Sequence, residues 1–221
     1  MSAEERIGDL LADVRPVDAD AATQARARHD RLVKPPGSLG RVEALGARLS
    51  AIAGRCPPPV PCRPAVLVAA ADHGVHAQGV TPWPQAITTT MVEAFCRGEA
   101  AVNAIAAATG TQVAVLDVGC AHEPADHPLL RKARVRPGTA DLTEGPAMTR
   151  EEAARALLAG EGVVTELVAA GVDLLVTGDM GIANTTASAC LIATFGFMAP
   201  RGVLFCRAIT RLLEPDVACC S

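Results

Sequence analysis

The sequence predicts an α/β protein, a Rossmann-like parallel sheet with flanking helices, joined to a partial small helical subdomain from the N-terminus. Three observations lead there. Short, almost wholly apolar runs stand at Ala65–Ala70 (AVLVAA), Gln112–Val118 (QVAVLDV) and Val172–Thr177 (VDLLVT). Their unbroken hydrophobicity is that of parallel strands covered on both faces. Segments with helical spacing alternate with these runs, and polar, glycine-bearing stretches follow them. Ligands in open α/β sheets sit at that position, beyond the carboxyl ends of the strands.

Two helical patterns come first, split by Lys34-Pro35-Pro36-Gly37, where the prolines exclude a continuous helix and glycine permits the turn. In the second pattern Val42, Leu45, Leu49 and Ile52 form one apolar stripe. Residues 1–55 are therefore expected to form the helical segment. Five prolines between Cys56 and Pro64 read as a linker. The α/β substrate-binding domain is expected over 65–195. Within it the spacing predicts one helix over about Ala86–Ala108, with Ile87, Met91, Phe95, Val102 and Ile105 near one face. A second is predicted from Thr149 toward Ala170, opened by a capping box of Thr149 and Glu152. A third covers Ala187–Thr194, and residues 196–221 read as an atypical tail.

Composition excludes several functions. Aromatic residues are 2% of the 221 and the net charge is −4, so neither a base-stacking platform nor an electropositive footprint for nucleic acid is present. A small anion can still be held by backbone N–H groups. Met1–Asp20 is polar and acidic without an apolar signal region, and no run has the length of a membrane span. The expected compartment is the cytoplasm. The eight cysteines contain no CxxC pair, so they are expected to be free, mostly buried thiols.

The chemistry-bearing residues gather after the strands. The third loop reads Gly178-Asp179-Met180-Gly181-Ile182-Ala183-Asn184-Thr185-Thr186. Its glycines permit close backbone approach, and Asn184, Thr185 and Thr186 are good helix-capping types. Such a turn suits a phosphate through free N–H groups and the helix dipole. The same residues also describe an ordinary strand-to-helix turn. Asp179 either orients a ribose hydroxyl, takes part in proton transfer, or caps the helix. The lysine of a P-loop is missing.

The first loop begins Asp72-His73-Gly74-Val75-His76 and continues through Gly79-Val80-Thr81-Pro82-Trp83-Pro84-Gln85. No third ligand accompanies His73 and His76, so no metal is expected; Asp72 and His73 instead brace the loop by hydrogen bonds. Trp83 between prolines, with Thr81 and Gln85 beside it, fits a pocket for a planar heterocycle, or equally a packed loop anchor. Arg131, Lys132, Arg134 and Arg136 either face an anion or form a solvated surface.

Taken in order, these segments resemble the nicotinate-nucleotide:dimethylbenzimidazole phosphoribosyltransferase family of cobalamin biosynthesis. The resemblance is carried by Lys34-Pro35-Pro36-Gly37-Ser38-Leu39-Gly40-Arg41, Ala71-Asp72-His73-Gly74-Val75, and Gly79-Val80-Thr81 with Pro84-Gln85. It continues through Val115–Gly119, Gly138-Thr139-Ala140, Gly145–Thr149 and Gly178–Ile182 with Asn184-Thr185-Thr186. It covers roughly residues 20–195. The resemblance implies transfer of the phosphoribosyl group of nicotinate mononucleotide to 5,6-dimethylbenzimidazole, giving α-ribazole 5′-phosphate and nicotinate. It implies a homodimer and no cofactor. By motif, Gly178, Asp179, Gly181, Asn184 and Thr185 bind phosphate and ribose, and Thr81, Trp83 and Gln85 line the base pocket.

Two departures stand out. Ala183 occupies a position where the family commonly has glycine. The family's general-base glutamate, in a later segment, has no counterpart: no motif surrounds Glu214, the catalytic residue is unassigned, and Asp179 remains only an auxiliary candidate. The tail is expected to reflect a frameshift or premature end after about residue 195, or a genuine short variant. Poor solubility or a non-native oligomer is the corollary. The alternative function is a non-catalytic homologue that binds nucleotide or base weakly; an NAD enzyme is disfavoured because no GxGxxG opens a helix after the first strand.

Overall fold

The computed structural model describes residues 2–196; the predicted tail beyond Gly196, with Glu214, lies outside them. The chain divides into two compact units, Gly8–Cys62 and the remainder.

In the first unit, α2 (Ala19–Arg31) packs on α3 (Arg41–Ala53). A helix α1 (Ala3–Ala12) precedes them, so the stretch before Lys34 holds two helices rather than one. Pro16 lies in the gap, and Asp18 starts α2 by accepting the Ala21 N–H at 2.8 Å. The predicted stripe of α3 is not its buried face. Val42, Leu45, Leu49 and Ile52 are all exposed, whereas Ala47, Ser50 and Ala51 are buried. The partner surface of α2 is Ala21 and Ala25. Small residues on both helices allow close approach, and the large side chains are left outside. Lys34 and Glu43 meet at 2.7 Å across the Pro-Pro-Gly turn, and this pairing holds the Glu43 carboxyl below its ordinary range.

Among the described residues of the second unit, four strands form one parallel sheet: β1 (Pro64–Ala71), β2 (Gln112–Gly119), β3 (Leu130–Lys132) and β4 (Leu174–Met180), in the order β3-β2-β1-β4. Strand β3 carries no apolar run in the sequence, since two of its three residues are charged and exposed. Alternate residues of β1 face opposite layers. Val66, Val68 and Ala70 pack on α4 and α5, with Val92, Phe95, Cys96 and Ala106. Leu67 joins Ala114, Leu116 and Val163 beneath α6. Double coverage thus holds for β1 and β2. Among the described residues it does not hold for β4, an edge strand on which Leu174 and Val176 are exposed.

The single helix predicted over Ala86–Ala108 is two, α4 (Ile87–Arg97) and α5 (Ala101–Ala108). Gly98 adopts φ +81 and ends α4. Asn103 spans the break, accepting the Ala100 N–H and donating to the Phe95 carbonyl. The break turns the apolar face, so Ala106 is buried and Ile105 is exposed. Helix α6 (Arg150–Ala169) opens with the predicted reciprocal capping of Thr149 and Glu152. Helix α7 runs over Asn184–Phe195, three residues earlier than its apolar pattern. No disulfide joins the described cysteines; Cys96 and Cys120 are buried, Cys56 and Cys190 half-buried, and Cys62 exposed, so burial is less general than expected. Among the described residues no helix is long and apolar enough to cross a membrane.

Candidate functional site

The strand order reverses between β1 and β4, which opens a crevice beyond their carboxyl ends. Asp72 stands at its root and is fully buried. Its Oδ1 accepts the Thr88 hydroxyl at 2.6 Å and its Oδ2 accepts the Ala121 N–H at 2.7 Å. The Asp72 backbone donates to Gly119 and accepts from Thr139. The Gly74 N–H donates to the Thr139 hydroxyl at 3.1 Å, and a Cβ on Gly74 would lie 2.4 Å from the Ala140 carbonyl carbon. Glycine is therefore required where the 138–141 segment crosses the first loop. The expected bracing role of Asp72 is realised. His73 differs: among the described residues its buried Nε2 has no hydrogen-bond partner. Burial lowers its pKa, against the opposing pull of the Asp179 and Asp72 charges.

The third loop is shorter than its sequence suggests. Gly178, Asp179 and Met180 finish β4, in register with Val68, Ala69 and Ala70 of β1. Hydrogen bonding to β1 extends the strand through residues whose glycine and aspartate content reads as a turn. A Cβ on Gly178 would meet Val68 Cγ2 at 3.1 Å, and one on Gly181 would meet the Ala71 carbonyl oxygen at 2.1 Å. Both glycines thus serve close packing on β1. None of the three predicted capping residues precedes α7. Ala183 does, at φ +76, the left-handed region, and it is the one such non-glycine among the described residues. Asn184 instead donates from Nδ2 to Asp179 Oδ2 at 2.7 Å. Thr185 is exposed and Thr186 buried.

Around Trp83 the polar groups of the first loop bond within the loop itself. Thr81 accepts the Trp83 N–H at 3.4 Å, His76 Nε2 lies 2.9 Å from the Trp83 carbonyl oxygen, and Gln85 donates to the His73 carbonyl at 3.3 Å. Trp83 itself is 62% exposed. The basic segment is paired with the protein's own acceptors: Arg131 with Glu166, Lys132 with Glu123, and Arg136 with Glu152, while Arg134 donates to the Ala121 carbonyl.

A mainly apolar cavity of about 390 Å³ lies on the α6 and α7 side of the sheet ends. Asp72 and His73 reach its wall, as do Val118, Leu142, Met148 and Leu191. None of the eight residues singled out for phosphate, ribose or base lines it. Thr88, which joins Asp72 to the third loop, is not among the site residues that the sequence predicts. Its signal is faint, a run of three threonines (Thr88–Thr90) inside a helical pattern.

A phosphoribosyltransferase family model matches residues 14–204. The chain belongs to the nicotinate-nucleotide:dimethylbenzimidazole phosphoribosyltransferase family. It is 52% identical over 188 residues to the enzyme of that name from Thermus thermophilus, covering 85% of this chain and 56% of the relative. It is 48% identical over 237 aligned positions to the one from Salinispora tropica, covering 94% and 65%. The crystal structure of the Thermus thermophilus phosphoribosyltransferase superposes with a TM-score of 0.82 at 48% identity, over 90% of this chain and 64% of that one. The chain thus spans 56% and 65% of those two relatives' lengths.

Proposed function

We propose that this chain carries the substrate cradle for phosphoribosyl transfer from nicotinate mononucleotide to 5,6-dimethylbenzimidazole, in assembly of the cobalamin lower ligand. Family membership gives the reaction class. The observation that carries the assignment to particular residues is the β1–β4 crevice, with Asp179 and Asn184 joined on one lip and the Asp72–Gln85 loop on the other. In this reading Gly181, Asn184 and Thr185, at the start of α7, hold the phosphate, where N–H groups and the helix dipole favour an anion. Asp179 orients the ribose. Thr81, Trp83 and Gln85 receive the benzimidazole, for which the exposed Trp83 ring offers a flat apolar face.

The chemistry sets what these residues must do. The bond between ribose C1′ and the pyridinium nitrogen breaks, and nicotinate departs with the electron pair, neutralising its ring charge. A benzimidazole nitrogen forms the new bond from the opposite face, and the other ring nitrogen gives up its proton to a base. Holding both partners in line supplies much of the acceleration.

A second reading, binding without turnover, is favoured by the state of the described carboxylates at the crevice. Both oxygens of buried Asp72 already accept hydrogen bonds, and Asp179 holds Asn184. Calorimetric titration with each substrate, beside an assay for α-ribazole 5′-phosphate, separates the readings. Nicotinate mononucleotide binding that weakens in Asp179→Ala supports the cradle; undiminished binding in that variant removes Asp179 from it. Product formation by the chain refutes the second reading.

A further inference from the structure

Thr88 lies on α4, outside every motif that carries the family resemblance, yet it sits between two strand ends. It is fully buried. Its hydroxyl donates to Asp72 Oδ1 at 2.6 Å and accepts the Ile182 N–H at 3.0 Å. A hydroxyl has one proton to give and lone pairs to receive with, so both bonds form together without conflict. Asp72 in turn receives the Ala121 N–H through its other oxygen. One side chain therefore ties the loop after β4 to a carboxylate that already joins the loops after β1 and β2. A second observation at the same place is the contact of Gly181 with the Ala71 carbonyl, which leaves the turn no slack toward β1.

We infer that Thr88 is a positioning residue: through Ile182 it holds the β4–α7 turn at a fixed height above β1, and so sets the geometry of the anion-binding groups at the start of α7. The anion-binding role rests on the function proposed above; the positioning role does not. Without the hydroxyl, both Asp72 Oδ1 and the Ile182 N–H lose a buried partner. Water cannot easily replace it, and the turn is the part free to move.

The test is amide hydrogen exchange on the full chain in three variants. Thr88→Val is of the same shape without the hydroxyl, Thr88→Ser retains the hydroxyl, and Thr88→Cys keeps a weak donor. In Thr88→Val the amides of residues 181–186 should exchange about tenfold faster than in wild type, with no matching change at Val115 and Leu116 in β2, as expected for loss of a buried hydrogen bond. Thr88→Ser should restore wild-type exchange and Thr88→Cys should fall between, which keeps the test decidable if Thr88→Val does not fold. Equal acceleration in both segments, no acceleration, or failure of serine to restore the turn overturns the inference. Titration with nicotinate mononucleotide is the second readout, with an affinity loss of about tenfold in Thr88→Val that serine recovers. The expected exchange pattern with unchanged affinity supports the positioning role and refutes the nucleotide-binding reading of the turn.

Discussion

Gly181→Ala is the sharpest perturbation of the crevice, because the cost comes from one contact. Gly181 is not in the left-handed region, so an alanine there meets no backbone penalty of its own. The added Cβ would stand 2.1 Å from the Ala71 carbonyl oxygen and 2.9 Å from His73 Nε2, whereas real Cβ atoms essentially never come within 3.0 Å. The shortfall against the carbonyl is thus about 0.9 Å, and backbone on both sides must move to absorb it. Overpacking of this kind costs about 1–3 kcal/mol, and here the obstacle is not a flexible side-chain end. A shift of that size also stretches the Ile182–Thr88 hydrogen bond, now 3.0 Å, beyond useful length. Losing it adds roughly 1 kcal/mol. We therefore expect destabilisation of about 2–4 kcal/mol. Urea unfolding followed by circular dichroism measures it, as a midpoint lowered by roughly 1–2 M for a slope near 2 kcal/mol/M. Gly178→Ala, whose Cβ comes nearest to a side-chain methyl, Val68 Cγ2 at 3.1 Å, serves as the milder comparison. A Gly181→Ala protein within about 0.5 kcal/mol of wild type would refute the reasoning, since surface changes alone have effects of that size.

Ala183→Gly should stabilise the chain by about 0.5–1 kcal/mol, because relief of a left-handed alanine at φ +76 outweighs the added freedom of the unfolded glycine; thermal melting reads the sign. Gly160→Ala and Gly162→Ala lie inside α6, where an added methyl meets no atom of the described residues within 4 Å; each should stabilise by roughly 0.5–1 kcal/mol, and a loss of stability would place a further contact there. His73 should make the fold acid-sensitive. Its folded pKa lies below the ordinary 6.5 because burial disfavours the imidazolium, so between those values the unfolded chain binds more protons. Stability should be level above about pH 6.5 and fall as pH drops through the window beneath it, with the Asp72 and Asp179 charges limiting the width. Urea midpoints from about pH 7.5 to about pH 5 should show this step in wild type and lose it in His73→Gln.

Three of the four described strands and most helices are legible because burial and periodicity are written locally. Runs such as AVLVAA and the Thr149–Glu152 capping box need no distant partner to be recognised. The break between α4 and α5 at Gly98 has a local cause, whereas the differences at β4 and α3 depended on a partner elsewhere in the chain. The length of β4 came from its pairing with β1, which drew Gly178 and Asp179 out of the loop and into the sheet. The buried face of α3 was chosen by the alanines of α2, not by its own largest side chains. The site divides in the same way. Asp72 as a brace was readable from its place at a strand end, while Thr88 acquires its role only where α4 passes over the ends of β1 and β4.

By itself, then, the sequence determined the layer architecture, the family and the loops in which polar and glycine residues collect, since these follow from residue type and spacing along the chain. Only the tertiary structure decided which of those glycines face backbone, which side chains on the loops are already engaged, and that one threonine joins the ends of β1 and β4. Those are questions of distance between segments far apart in the chain, such as the 94 residues between Thr88 and Ile182. Packing brings such segments together, and no local pattern records it.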